Sequence, residues 1–240
     1  MVSTVTSRNA EQASNAELIA AAAVTLAGSS GWRNVALAAI AEEAGVPLAE
    51  LARHYACRPQ ILDGFERMID RHMLAGAAAG DINDPPRDRL FDVILERFEA
   101  LLPYRDGVRR ISRELPFDPQ SGLVLACALP RSVAWMYVGA RIAIGGPLMP
   151  LRIAALGAAY LGSLRVWLDD DGADLAKTMA ATDRQLDRAK RMLGGEFGRT
   201  RPAEPAQAPI QATVEAAPQP KPATRRTPQR KKVTGINETG

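Results

Sequence analysis

Two short apolar runs at helical spacing, joined at one glycine, constrain this chain more than any other feature. The stretch LAAIAEEAGVPLAELARHY, Leu37 to Tyr55, places Ile40, Ala41 and Ala44 before Gly45, and Val46, Leu51 and Tyr55 after it. The pattern predicts a helix from about Ala36 to Ala44 that stops at Gly45, and a second from Leu48 to Tyr55 with Pro47 at its first turn. Gly45 supplies a backbone conformation that a side chain resists, and the small Ala41 allows a close crossing. A short helix, a glycine turn and a second short helix make a helix-turn-helix.

The surroundings are helical too. Ser14 or Asn15 can cap a helix to about Ala27, with Leu18, Ile19, Ala22, Ala23 and Leu26 on one face. Beyond the helix-turn-helix the spacing predicts helices over Pro59–Leu74, Arg87–Leu102, Asp106–Glu114, Gln120–Ile144 (bent at Pro130), Pro150–Leu168 and Asp174–Leu193. Nine helices and no convincing strand define an all-α chain. It divides into a helix-turn-helix region at 1–75, a helical region at 76–198 and a tail at 199–240.

Composition sharpens this division. The chain has 240 residues, 47% hydrophobic and 5% aromatic, enough to bury a core, and a net charge of +3. The tail from Arg199 holds eight basic and three acidic residues and seven of the 17 prolines, so the rest of the chain is net negative. With almost no large apolar residues, the tail is expected to stay disordered. Its RRTPQRKK cluster, Arg225 to Lys232, reads either as a contact for phosphate or an anionic membrane, or as a solvated tail. No 18-residue uncharged apolar run appears, so no transmembrane helix is expected. The polar N-terminus has no signal-peptide core, which makes the cytoplasm the default location.

Helix-turn-helix geometry raises the question of a family. Residues GW at 31–32, IAEEAGV at 40–46, then Leu51, His54, Tyr55, Arg58 and Ile61-Leu62 resemble the TetR family of bacterial regulators, as does the nine-helix plan. The resemblance implies a homodimer whose first three helices bind DNA and whose later helices form a dimerising, ligand-sensing region. It places Leu48, Ala49, Glu50, Arg53, His54, Tyr55 and Arg58 at the DNA-facing positions.

Those positions depart from the family pattern. Val35 and Ala36 stand where the family usually has hydroxyl residues, Pro47 replaces the turn serine, and Leu48, Ala49 and Glu50 replace basic, glycine and hydroxyl positions. From Met1 to Ala75 there are six arginines, no lysine and eight acids. Phosphate neutralisation dominates non-specific DNA affinity, so a negative head is handicapped. Leu48 and Ala49 suit thymine methyls, and Glu50 a cytosine amino group. Two readings stand: a sequence-specific DNA reader, or a helix-turn-helix kept as a structural or protein-docking module.

The C-terminal half carries a second resemblance. LRIAALGAAYLGSLRVWL, DDDGADLAKTM and DRQLDRA, within Leu151–Leu193, are similar to the lipid-binding accessory proteins of ubiquinone biosynthesis, which share the TetR fold. That implies an alternative function as a lipid- or protein-binding accessory factor. The family's acidic, tryptophan- and tyrosine-rich segment is absent; IAIGGPLMP stands there. The small residues Ala154, Ala155, Gly157, Ala158, Ala159 and Gly162 suit either a dimer seam through helices 150–168 and 174–193 or tight packing within one subunit. Leu95, Phe98 and Leu101 with Trp135, Met136 and Tyr137 read either as a pocket for a hydrophobic ligand or as plain core.

Chemistry for catalysis finds no footing. His54 and His72 are the only histidines, and no nucleophile elbow, phosphate loop or metal spacing occurs. No cofactor, metal or catalytic residue is expected. Asp169–Asp171 reads as a solvated helix-end loop, and Cys57 and Cys127 as mostly buried thiols.

Overall fold

The computed structural model describes residues 2–77, 81–172, 174–195 and 197, with side chains from Ser14 onward. Among these residues the elements are α1 (Val2–Ser30), α2 (Leu37–Glu43), α3 (Leu48–His54), α4 (Arg58–Ala77), α5 (Pro86–Leu101), α6 (Arg105–Glu114), α7 (Pro119–Gly139), α8 (Met149–Leu168) and α9 (Ala176–Met192), with three short 3-10 turns and no strand. The all-α, nine-helix expectation holds. The tail, Arg199 to Gly240, lies outside the described residues.

Boundaries shift for local reasons. α1 begins at Val2, so Ser14 and Asn15 lie inside the helix and cap nothing. α7 runs on through Pro130 and ends at Gly139, five residues short of expectation. Its stop is Arg141 at φ 53, in the left-handed region. Ala140 N–H donates to Met136 (2.9 Å) and Ile142 N–H to Tyr137 (2.9 Å), which satisfies carbonyls the helix would leave open.

α1 organises the core through small side chains. Ile19, Ala20, Ala23, Val24 and Ala27 have no exposed surface, so the helix is approached by α2, α4 and α6. α6 comes closest. A Cβ at Gly107 would overlap the backbone of Val24, and one at Gly28 would lie 3.2 Å from the Gly107 nitrogen. The two helices meet backbone to backbone. α6 is also held at the far side, where Arg105 donates to the Trp167 and Asp170 carbonyls and Arg109 to Leu168, at the C-terminus of α8. Cations there also complement the helix dipole.

A buried ionic cluster crosses the body. Arg97 of α5, with no exposed surface, donates to Asp70 (2.5 Å), to Glu66 and to the Tyr160 hydroxyl (3.1 Å). Ser132 of α7 donates to Asp70 (3.0 Å), so four helices share one set of bonds.

Two expectations are corrected. Asp170 is buried, at 1% exposure. It accepts from the Thr178 N–H (2.9 Å) and hydroxyl (2.8 Å), which hold its carboxyl below the usual range and fasten the start of α9. Cys127 is exposed and Cys57 only half-buried, because Cys127 lies on the outer side of α7. α7 and α8 are long and apolar enough, by length and composition, to cross a membrane; their mean hydropathy tolerates the arginines that broke the uncharged run. Both nevertheless pack into the body, through Val133, Met136 and Tyr137 and through Tyr160 and Trp167.

Candidate nucleic-acid interface

The helix-turn-helix forms as its residues dictate. Gly45 has φ +66 with open space around it, and Val46 N–H returns to the Ala41 carbonyl (3.0 Å). Pro47 is the N-cap of α3, and its carbonyl accepts from Glu50 (2.8 Å) and Leu51 (3.1 Å). Ile40, Ala41 and Leu51 are buried beneath the crossing.

The seven expected interface residues separate into three groups. Leu48, 52% exposed, Ala49 and Arg53 face outward, together with Ala52. Glu50 and His54 are half-buried; the Glu50 carboxylate bonds Arg53 (2.9 Å) and His54 (3.1 Å), so the charge of Arg53 is partly answered within α3. Tyr55 and Arg58 turn inward. The Tyr55 hydroxyl donates to the Ala16 carbonyl of α1 (3.1 Å) and lies where a Cβ on Gly64 would stand. Burial pushes its hydroxyl pKa up. Arg58 donates from one nitrogen to the carbonyls of Trp32 (2.8 Å), Arg33 (2.7 Å) and Val35 (3.3 Å), and sits over the Trp32 ring. Those two residues set the position of α3. On α2, Ala38, Ala39, Glu42 and Glu43 are exposed beside it.

Glu50 is therefore the residue whose change most alters the face. Glu50→Gln removes one negative charge from the face and frees Arg53. On the reading of this face as a DNA contact, duplex affinity is expected to rise about fivefold at low salt, since one charge near the surface is worth about 1 kcal/mol, and the gain fades as salt screens it. Fluorescence anisotropy on a labelled duplex across a salt series measures this.

A joint links the helix-turn-helix to the body. Trp32, with no exposed surface, donates from Nε1 to Ser121 of α7 (2.9 Å), and the Ser121 hydroxyl donates to Asp118 (2.8 Å). The Asp118 side chain also accepts from the Ser121 N–H, capping α7. Beside it, Arg33 N–H donates to Glu114 of α6 (2.9 Å), and Arg110 donates to the same carboxylate (2.6 Å). The Arg33 N–H, then Arg110, hold Glu114 below the usual carboxylate range. The sequence pointed to GW as a family mark, but nothing in its spacing named Ser121 or Glu114 as partners.

The expected ligand pocket is differently filled. Phe98 has no exposed surface and stacks between Tyr160 (5.8 Å) and Trp167 (5.5 Å). Leu101, Met136 and Tyr137 are buried, with the Tyr137 hydroxyl donating to the Arg152 carbonyl (3.1 Å). Trp135 points outward, at 42% exposure. Of the six residues Leu95 alone lines the cleft of about 340 Å³ that lies between the ends of α4 and α7 and the side of α5. Its walls include Val93, Arg89, Asp92, Glu96 and Arg141, so charged side chains share a wall that was expected to be apolar. Burial, then neighbouring acids, pushes the Asp92 and Glu96 carboxyls up. Arg131 salt-bridges Asp63 (2.7 Å). Among the described residues no group of three His, Cys, Asp or Glu side chains could hold a metal ion.

No protein-family model matches the sequence, and no curated protein matches it. Solved structures do. A TetR transcriptional regulator from Nitrosomonas europaea ATCC 19718 is similar at a TM-score of 0.58 and 22% identity, over 73% of this chain and 98% of that one. A TetR regulator from Rhodococcus sp. RHA1 is similar at 0.54 and 19%, over 75% and 97%. A putative TetR-family regulator from Rhodococcus sp. is similar at 0.52 and 18%, over 74% and 97%. With its head, its joint and its helical body arranged in this order, the chain has the fold of the TetR-family transcriptional regulators.

Proposed function

We propose that this protein is a TetR-type transcriptional regulator: a homodimer whose two heads bind operator DNA through α2 and α3, under the control of a small ligand in the body. One observation carries the reading. α3 stands clear of the body with Leu48, Ala49, Ala52 and Arg53 outward, while Leu51, Tyr55 and Arg58 fix its angle from behind. The second set of contacts would serve a purely structural remnant as well; the unobstructed outer face is what supports a reading helix over such a remnant. The neighbours' description as transcriptional regulators supports the same reading.

Readout on this face would be unusual in kind. Leu48 and Ala49 offer apolar contact to thymine methyls, Arg53 a fork for guanine O6 and N7, and Glu50 an acceptor for a cytosine amino group. With few cations on the head, affinity would come from base contacts and from two heads acting together, about 34–36 Å apart on successive major grooves. A ligand entering the cleft beside Leu95 would press on α5 and α7, and α7 reaches the head through Ser121. The cleft's mixed charge favours an amphipathic ligand over a purely apolar one.

The test is a genome-wide binding experiment and a mobility shift on the recovered sites, with the full chain and with one ending at Gly198. The expected result is a discrete two-fold site bound by both, with Arg53→Ala costing about 1–3 kcal/mol on the cognate sequence. No discrete site with either chain sinks the reading. Binding that needs the tail and ignores sequence also sinks it, and a co-purified lipid together with absent DNA binding would favour the accessory-factor alternative.

A further inference from the structure

A second groove, separate from the cleft beside Leu95, opens along the crossing of α1 with α6. It holds about 500 Å³, within the range of small-molecule sites. Gly28 and Gly107 form part of its lining, at the point where the two helices meet. On the α6 side, Arg109, Arg110 and Arg113 follow Asp106 at three- and four-residue steps, so the four share one helix face. Asp106 is the one carboxylate of this lining against three guanidiniums, and positive charge predominates on the walls.

Two of the three arginines are held in place. Arg109 donates to the Leu168 carbonyl (2.8 Å), with Asp106 and Asp171 at 3.4 and 3.5 Å, the edge of hydrogen-bond distance. Arg110 donates from Nε to Glu114 (2.6 Å). A guanidinium has five N–H groups, so these bonds fix the forks without using every donor. Arg113 is exposed and has no ion-pair partner among the described residues. The other walls supply hydroxyls: Thr25 and Ser29 from α1, and Tyr104 from the 3-10 turn before α6. Ser29 donates to the Leu26 carbonyl (3.1 Å). The Thr25 and Tyr104 hydroxyls have no hydrogen-bond partner among the described residues.

Guanidinium forks beside hydroxyl donors are the chemistry that recognises a phosphoryl group. A monocarboxylate brings one negative charge, whereas a phosphoryl group brings about 1.5 to 2 and three acceptor oxygens, which answers an arginine-rich wall better. Arg109 and Arg113 stand one turn, about 6 Å, apart along α6, so two linked phosphoryl groups can engage both. We infer that the α1–α6 groove binds a diffusible phosphorylated small molecule, with Arg109, Arg110 and Arg113 on its phosphates and Thr25 joining it to α1. A concave space between two helices of one chain suits a compact ligand better than the convex backbone of a duplex. Such a ligand ties α1 to α6 beside Gly28 and Gly107, on the helix that carries the head. The site stands whether or not the head reads DNA.

The full chain is tested by hydrogen exchange during a titration with inorganic pyrophosphate at constant ionic strength. Affinity is read from peptides covering residues 25–30 and 106–113, which separates the groove from anion uptake by the basic tail. In the wild type, exchange of both segments slows as pyrophosphate is added. Arg113→Ala, at an exposed position, weakens that response about tenfold, as the loss of one charge-assisted hydrogen bond requires. Thr25→Val weakens it about threefold, and Arg191→Ala, on α9 and outside the groove, leaves it unchanged. Protection confined to residues 199–240 overturns the site, and so does an Arg113→Ala response equal to wild type. Equal protection by succinate overturns the phosphate class. Protection of the two segments by a duplex of arbitrary sequence, with none by pyrophosphate, overturns the small-molecule site and gives these arginines to a nucleic-acid backbone.

Discussion

Arg97→Leu is expected to cost about 3–5 kcal/mol of stability, because it leaves Asp70 buried with only Ser132 to bond it. For a chain of this size that lowers the melting temperature by roughly 6–20 °C. The pair Asp70→Leu/Arg97→Leu is expected to recover most of the loss, since removing both charges removes the desolvation cost as well. The pH dependence has a definite sign. Burial pushes the Glu66 carboxyl above its ordinary 4.5, and Arg97 opposes that rise. A raised carboxyl binds its proton more tightly in the folded protein, so Glu66 favours folding less as pH climbs through that range. Without Arg97 the rise is larger, so the deficit of Arg97→Leu should be greater at pH 7 than near pH 5. Thermal melts at the two pH values measure both effects, and an equal deficit at both would remove Glu66 from the account.

Arg97 also shows where sequence reading stops. The helical period of Leu90, Ile94, Leu95 and Phe98 predicts α5 and its buried side, but Arg97 looks like one more surface arginine until Glu66, Asp70 and Tyr160 arrive from other helices. Long-range partners leave no trace in local spacing. The same limit explains Asp170, which seemed one of three solvated acids until Thr178 bonded it. Local signals did better. Gly45, Leu51 and the α2–α3 crossing were legible because turn chemistry and apolar period agree there. For the reading face the sequence supplied residue types but not orientation: Tyr55 and Arg58 carry groups that could touch DNA, and packing spends them on α1 and on the 3-10 turn at Trp32–Asn34.

Trp32→Ala is the second large effect. Truncating a fully buried tryptophan costs about 3–5 kcal/mol, and here it also strips Ser121 of its donor and removes the ring beneath Arg58. The loss falls on the joint, so the head should loosen before the body does. Limited proteolysis is expected to cut near Ser30–Val35 in the variant and spare α7–α9. Trp32→Phe keeps most of the packing and forfeits one bond, about 1–2 kcal/mol. If Trp32→Ala melts in a single step with the head still protected, the joint is not a separable element.

The crossing of α1 with α6 at Gly28 and Gly107 has a mechanical consequence. Where helices meet through long side chains, rotamer changes absorb small displacements before they travel. Here the Val24 carbonyl and one Val24 methyl fill the space a Gly107 side chain would need, and no long side chain lies between the two helices at that point to yield. α6 is fastened at its other side to the end of α8 by Arg105 and Arg109. A shift of that end passes into α1 with almost no backlash, as through a gear cut without play, and α1 is the shaft on which the head is mounted.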